Sequence, residues 1–295
     1  MTLMMRSYRI LTRGPHASAV VVLLTLTGAA AAALATGMYF VSLRYFAVAI
    51  GIGAVLLSVT LVAMLIDRLR ATLNDVSYAI SLDRRLNESG STIHDFFTDG
   101  AAANPSLHLF QVKVLAFLRP RSVLELGSGQ TTKVLSGYAR DNPSSSVVTL
   151  EQERSWFDRL RPQISHDYRS APLEPVSFNT AGTQRHIQTE WYVTQPDLAQ
   201  RQFDYILVDG PDHGSTSTEA LNYARSGILR YVPSILAASF VVVFDDADRY
   251  GVLMTVHECE AILSRHSIKF VTFSLYGTKT QVVLCSADNA FLSSV

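Results

Sequence analysis

The sequence predicts an α/β fold, a mostly parallel sheet with helices on both faces, preceded by two membrane-spanning helices. Three observations predict it. From residue 122 onward, short apolar runs ending in glycine or acid alternate with runs of helical spacing. Two strand-like runs close the chain with no helix between them, as an antiparallel pair does. Between residues 17 and 66 the only charged side chain is Arg44, whereas most of the 25 bases and 25 acids lie beyond.

That apolar head splits into two runs, 17–41 and 45–66, joined by a short turn at Arg44. Each is near the length of about 20 apolar residues that crosses a bilayer. Neither contains proline, and Gly28, Gly37, Gly51 and Gly53 suit close helix packing in lipid. Arg6, Arg9 and Arg13 precede the pair, and Arg68, Arg70, Arg84 and Arg85 follow it. Base at both ends predicts an inner or plasma membrane hairpin with both termini and the body cytoplasmic. A cleaved leader ending near Ala31, Ala32 and Ala33 is the rival reading. The domains expected are an anchor over 1–66, a juxtamembrane helix and linker over 67–105, and a body over 106–295.

In the linker, Leu69, Leu73, Val76, Ile80, Leu82 and Leu86 recur at helical spacing. They fit either a helix lying on the body or a stalk that pairs two copies in a homodimer. Residues 87–104 read as a loop, and 106–118 as a helix stopped by Pro120. The body then reads as strands at 122–126, 146–150, 175–178, 203–208, 239–244, 269–275 and 280–285. Helices fall between them at 131–140, 153–164, 218–231 and 250–265. A formal net charge of zero speaks against a nucleic-acid partner. Cys259 and Cys285 have neither disulfide-framework nor metal-ligand spacing.

Ligands of open α/β sheets bind beyond the carboxyl ends of the strands, and the polar residues collect there. The first strand runs into Gly127-Ser128-Gly129, where glycines admit a ligand close to the backbone and a helix N-terminus offers free N–H groups. The second ends in Glu151, placed to accept both hydroxyls of a ribose. The fourth ends in Asp209, followed by Gly210, Pro211, Asp212 and His213. The fifth ends in Asp245-Asp246. A strand-end Asp alone is often a helix cap; four such ends in order are more specific.

With Glu125, Gly127 and Gly129 as acid-x-Gly-x-Gly, the segment from about 106 to 286 resembles the class I S-adenosylmethionine-dependent methyltransferases. Thr131 stands where that family has a third glycine. Thr132 stands where a dinucleotide dehydrogenase has one. The resemblance implies a Rossmann-like sheet of seven strands with the last antiparallel. It implies S-adenosylmethionine held by Glu125, Gly127, Ser128, Gly129, Glu151 and Asp209. The segments ending in Asp209 and in Asp245-Asp246 further resemble the metal-dependent O-methyltransferase subgroup, which implies Mg²⁺ held by Asp209, Asp245 and Asp246. Hard oxygen ligands suit that ion, which would lower the pKa of an acceptor hydroxyl. The lysine base of the catechol-type members is replaced here by Asp212, leaving His213 and Asp209 as catalytic candidates. Trp156 is expected to pack in the core rather than stack on adenine. Arg249 and His257 face either acceptor or solvent.

Together these readings point to a membrane-anchored methyltransferase acting on oxygen of a small-molecule, sugar or lipid-linked acceptor. Segments 87–104 and 182–200 are the candidates to shape the acceptor pocket. Aminopropyl transfer, as in spermidine-synthase-like proteins, and a non-catalytic membrane-bound interaction module are the alternatives. Asp209-Gly-Pro-Asp212 departs from the pattern of the former, and the glycine loop with its acids argues against the latter.

Overall fold

A computed structural model describes residues 28, 43–88, 103–193, 195–211 and 223–294. Apart from Gly28, which is helical, the first expected span (17–41) lies outside them, as does His213. Contacts divide the chain into two units, Met1–Leu73 and Asn74–Val295.

Helix α1 is Leu43–Glu88, 46 residues, or about 69 Å at 1.5 Å per residue. The expected second span and the expected connector are thus one continuous helix. No glycine or proline falls between Ile66 and Leu86 to break it. Its apolar side chains from Val48 to Ile66 are largely exposed. Among the described residues it is the one helix long and apolar enough to cross a membrane.

The second unit opens with the last turns of α1. There Leu82 and Leu86 are buried against Leu109, whereas Val76 and Ile80 remain exposed. Helix α2 (Pro105–Leu118) follows, with proline in its first turn, where no N–H is needed. Then come β1 (Ser122–Leu126), α3 (Gln130–Asp141), β2 (Ser146–Glu151), α4 (Arg154–Leu160), β3 (Asp167–Ser170), β4 (Leu173–Asn179), β5 (His186–Tyr192), α5 (Pro196–Ala199), β6 (Phe203–Val208), β7 (Leu236–Phe244), α6 (Tyr250–Arg265), β8 (Phe270–Tyr276) and β9 (Thr280–Ser286).

Seven strands form one sheet in the order β3-β2-β1-β6-β7-β9-β8. The neighbours from β3 to β7 pair in parallel, and β9 pairs antiparallel with both β7 and β8. This is the expected Rossmann-like sheet of seven strands with its final strand reversed. That final strand is not an edge. All seven of its residues are buried, and β8 is outermost. Successive strand residues point to opposite faces. Val123, Val147, Tyr205, Val241 and Val283 accordingly pack with Leu107, Phe110, Val114 and Leu135 of α2 and α3. Leu124, Val148, Ile206, Val242 and Leu284 pack on the other face with Val252, Val256 and Ile262 of α6.

Four expected elements change. The third sheet strand is β3, not 175–178. Those residues lie in β4, which pairs only with β5 as a separate two-stranded antiparallel sheet. The segment 182–200, read as an acceptor loop, contains β5, whose HIQTEWY alternates exposed and buried. The helix over 153–164 is α4 plus a 3-10 turn, Arg161–Gln163, where Pro162 ends regular bonding. The described part of the helix expected over 218–231 is a turn leading to the 3-10 segment Ser226–Arg230.

Candidate functional site

The chain leaves β1 toward β2 on one side and later returns to β6 on the other. The crevice at such a reversal is where open α/β sheets bind ligands. Two backbones meet there. Gly127 has φ +84, and a Cβ on it would lie 2.7 Å from Gly210 N. A Cβ on Gly210 would lie 2.6 Å from the Tyr192 hydroxyl and 2.7 Å from Gly127 Cα. Both positions therefore require glycine. Gly129 differs, because a Cβ there would meet nothing within 4 Å. It faces open space beside the first turn of α3, where its own N–H donates to Thr132 Oγ1 at 2.8 Å.

Next to this loop, Glu151 is 2 % exposed. Its Oε2 accepts from Ser128 N (2.9 Å) and Ser128 Oγ (2.6 Å), and its Oε1 from Glu153 N (2.7 Å). All these donors are neutral. Ser128 Oγ also meets the Tyr168 hydroxyl at 2.8 Å, and Trp156 Nε1 donates to Ser128 O at 2.8 Å. Trp156 packs with Leu160, Ile164 and Tyr168 and at the same time pins the loop. Glu125 lies fully buried one strand over, its Oε2 accepting from Thr149 Oγ1 at 2.8 Å. Burial raises its pKa to about 7, against the hydroxyls of Thr131, Thr132 and Thr149.

The acids of β6 and β7 do come together. Asp209, Asp245 and Asp246 each offer an oxygen within 4.8 Å of the others. Their neighbours are cations. Arg225 Nη2 lies 3.3 Å from Asp209 Oδ1 and 3.0 Å from Asp246 Oδ2, and Nη1 donates to the Asp245 carbonyl. Arg249 reaches Asp246 Oδ2 at 2.8 Å. Lys279 Nζ stands 3.4 Å from Asp246 Oδ1 and 3.9 Å from Asp245 Oδ2. Burial and the adjacent Asp245 carboxylate raise the Asp209 pKa well above its ordinary value, with Arg225 opposing. Burial also works against charged Asp246, but Arg225, Lys279 and Arg249 outweigh it and lower the pKa.

The expected Mg²⁺ can be tested against this set. The spacing of the three carboxylates suits an ion. Among the described residues, however, each of the three carboxylates faces at least one cation, and Arg225 already bridges two of the three acids. A divalent ion gains affinity from uncompensated oxygen charge, so the set as it stands does not fit one. The residues around Glu151 and Gly129 do fit an adenosine-bearing cofactor: a strand-end carboxylate, open space at Gly129, and a helix N-terminus beside it.

Sequence reasoning missed Arg225 and Lys279. The first lies 16 residues past Asp209 in a stretch read as helix, the second in a hairpin turn, and no spacing rule joins either to an acid. Arg249 turns to Asp246, while His257 is exposed beside Glu260 at 3.1 Å.

No protein-family model matches the chain, and no curated protein matches it. Solved structures do. The O-methyltransferase TomG from Streptomyces achromogenes, solved with SAM, is 15 % identical, with 75 % of this chain and 99 % of that chain covered and a TM-score of 0.43. The O-methyltransferase from Bacillus cereus, with SAH, is 15 % identical over 71 % and 91 %, TM-score 0.41. The SAH-bound Podospora anserina methyltransferase PaMTH1 is 13 % identical over 73 % and 88 %, TM-score 0.40. At this level of likeness, the functional reading rests on the strand order and the side-chain geometry of this chain.

Proposed function

We propose that the chain is a membrane-anchored S-adenosylmethionine-dependent methyltransferase, acting on a hydroxyl oxygen of a small-molecule, sugar or lipid-linked acceptor at the cytoplasmic face. One observation carries the proposal. At the strand-order reversal, Gly127 and Gly210 bring their backbones together, with the Glu151 carboxylate at the next strand end. The apolar length of α1 supports the anchor. Such an anchor concentrates the enzyme where lipid-borne acceptors sit.

When bound, the cofactor's sulfonium supplies the methyl group. Glu151 accepts the ribose hydroxyls, and Ser128, which now donates to it twice, gives up or shares those bonds. The loop at Gly127–Gly129 lets the main chain approach the cofactor, with Glu125 behind it. That methyl would pass to the acceptor oxygen, the C–S bond breaking as the O–C bond forms, with S-adenosylhomocysteine as the leaving group and the hydroxyl proton taken by a base. Asp209, at the end of β6 with 22 % of its side chain exposed, is the described residue proposed for that role. His213 shares the same loop region in sequence. Arg225, Lys279 and Arg249 hold the acids in place.

The test is methyl transfer from labelled S-adenosylmethionine into membrane extract, with Mg²⁺ or with chelator, comparing wild type with Asp245→Ala. Label entering an extractable acceptor, insensitive to chelation and lost in the variant, is expected. No incorporation by folded wild type would sink the proposal.

A further inference from the structure

Polar side chains are rare in the interior of a sheet, and β9 carries one at Gln281, fully buried. Its Nε2 donates to Asp245 Oδ1 at 2.7 Å and to Asn104 Oδ1 at 2.8 Å, and its Oε1 accepts from Ser106 Oγ at 2.7 Å. Asn104 is equally unusual. It sits at the N-cap of α2, where an asparagine side chain ordinarily accepts from the helix's own first N–H groups, yet it makes no such bond. Its Nδ2 instead donates to Asp75 Oδ1 and to the carbonyl of Lys279, both at 3.2 Å. Asp75, near the body end of α1, is 9 % exposed. Its Oδ2 also accepts from Thr278 N at 2.8 Å and from Thr278 Oγ1 at 2.5 Å. Gly277 makes room, since a Cβ there would lie 2.1 Å from Asp75 Oδ1.

From these contacts we infer that Asp75, Asn104 and Gln281 form a buried positioning relay, through which α1 sets the Asp245 carboxylate and the Lys279 backbone of the acid cluster. The inference deepens the proposed function and rests on it for the role of Asp245. The Asp75–Asn104, Asn104–Gln281 and Gln281–Asp245 bonds are all buried, and a carboxylate acceptor strengthens both ends. Removing Asp75 leaves Asn104 Nδ2 with the Lys279 carbonyl as its remaining partner and frees the β8–β9 turn. Gln281 can then rotate off Asp245. Asp75 and Asn104 touch no reacting group, so both are positioning residues.

The test uses the full chain in detergent or nanodiscs with three variants. Asp75→Ala removes the relay's anchor. Thr278→Val removes one of the anchor's donors and covers the case in which Asp75→Ala does not fold. Leu82→Ala removes a buried contact between α1 and α2 outside the relay. For Asp75→Ala, labelled methyl transfer into membrane extract is expected to fall about tenfold in maximal rate, with KM for S-adenosylmethionine within about twofold. Thr278→Val should lose about threefold in the same direction, and Leu82→Ala should lower the melting temperature while keeping the rate within about twofold. In amide nuclear magnetic resonance, the Gln281 side-chain protons should be protected from exchange in wild type and lose that protection in the two relay variants. A rate loss no greater than that of Leu82→Ala, or Gln281 protons unchanged by both relay variants, overturns the relay. If wild type gives no calorimetric heat with S-adenosylmethionine, the proposed function fails, and the Gln281 protons alone decide the relay.

Discussion

Two groups of acids stand at the carboxyl ends of one sheet, and they are held in opposite ways. Glu151, beside the glycine loop, is bonded by a serine hydroxyl and backbone N–H groups. Asp209, Asp245 and Asp246 are held by two arginines and a lysine. Neutral donors on a mobile-length side chain are exchangeable for a ligand's hydroxyls at little cost, because one hydrogen bond replaces another. Buried charges matched to countercharges are not, because removing either partner strands the other in low dielectric. On the proposed function, the first group is a ligand seat and the second a rigid wall of the acceptor side.

The contrast can be broken most severely at Arg225. Arg225→Met removes the cation beside Asp209 and one of three beside Asp246, and is expected to lower stability by about 3–5 kcal/mol. The surplus carboxylate charge should also create a Mn²⁺ site visible by electron paramagnetic resonance and absent from wild type. Mn²⁺ bound already by wild type would show that the cations do not fill the site. Next is Gly127→Ala. The left-handed φ and the approach to Gly210 make a loss of about 3 kcal/mol the expectation, with no measurable S-adenosylmethionine binding in calorimetry. An alanine variant that binds normally would remove the crevice from the cofactor site. Smaller is the pH effect of Glu125. The folded protein keeps its proton up to about pH 7, whereas the ordinary value is 4.5. Between those limits the folded state holds the extra proton, so stability falls as pH rises, by at most about 3 kcal/mol. Chemical denaturation of Glu125→Gln should show that slope removed. An unchanged slope would place its origin elsewhere.

The legibility of the sequence follows the same division. Features carried by local pattern were readable: the strands β1, β2, β6 and β7, the glycine loop, and the acids closing each strand. The gathering of Asp209, Asp245 and Asp246 was readable too, because strand ends of a parallel sheet converge. Features set by distant partners were not. DYRS of β3 has no apolar run, and its pairing with β2 makes it a strand. The apolar letters around 175–178 pointed to the sheet, but the alternation in 186–192 gave them a nearer antiparallel partner. Nothing at Lys279 or Arg225 announces that each closes on acids more than 15 residues away.

The ligand-seat reading of Glu151 is tested most directly by calorimetric titration of S-adenosylmethionine into the full chain, wild type and Glu151→Ala, with and without chelator. Saturable binding that ignores chelation and weakens about 10–100-fold in the variant is expected, the range that loss of charge-assisted hydrogen bonds of about 1.5–3 kcal/mol produces. Equal affinity of the two proteins, or no heat from folded wild type, would contradict it.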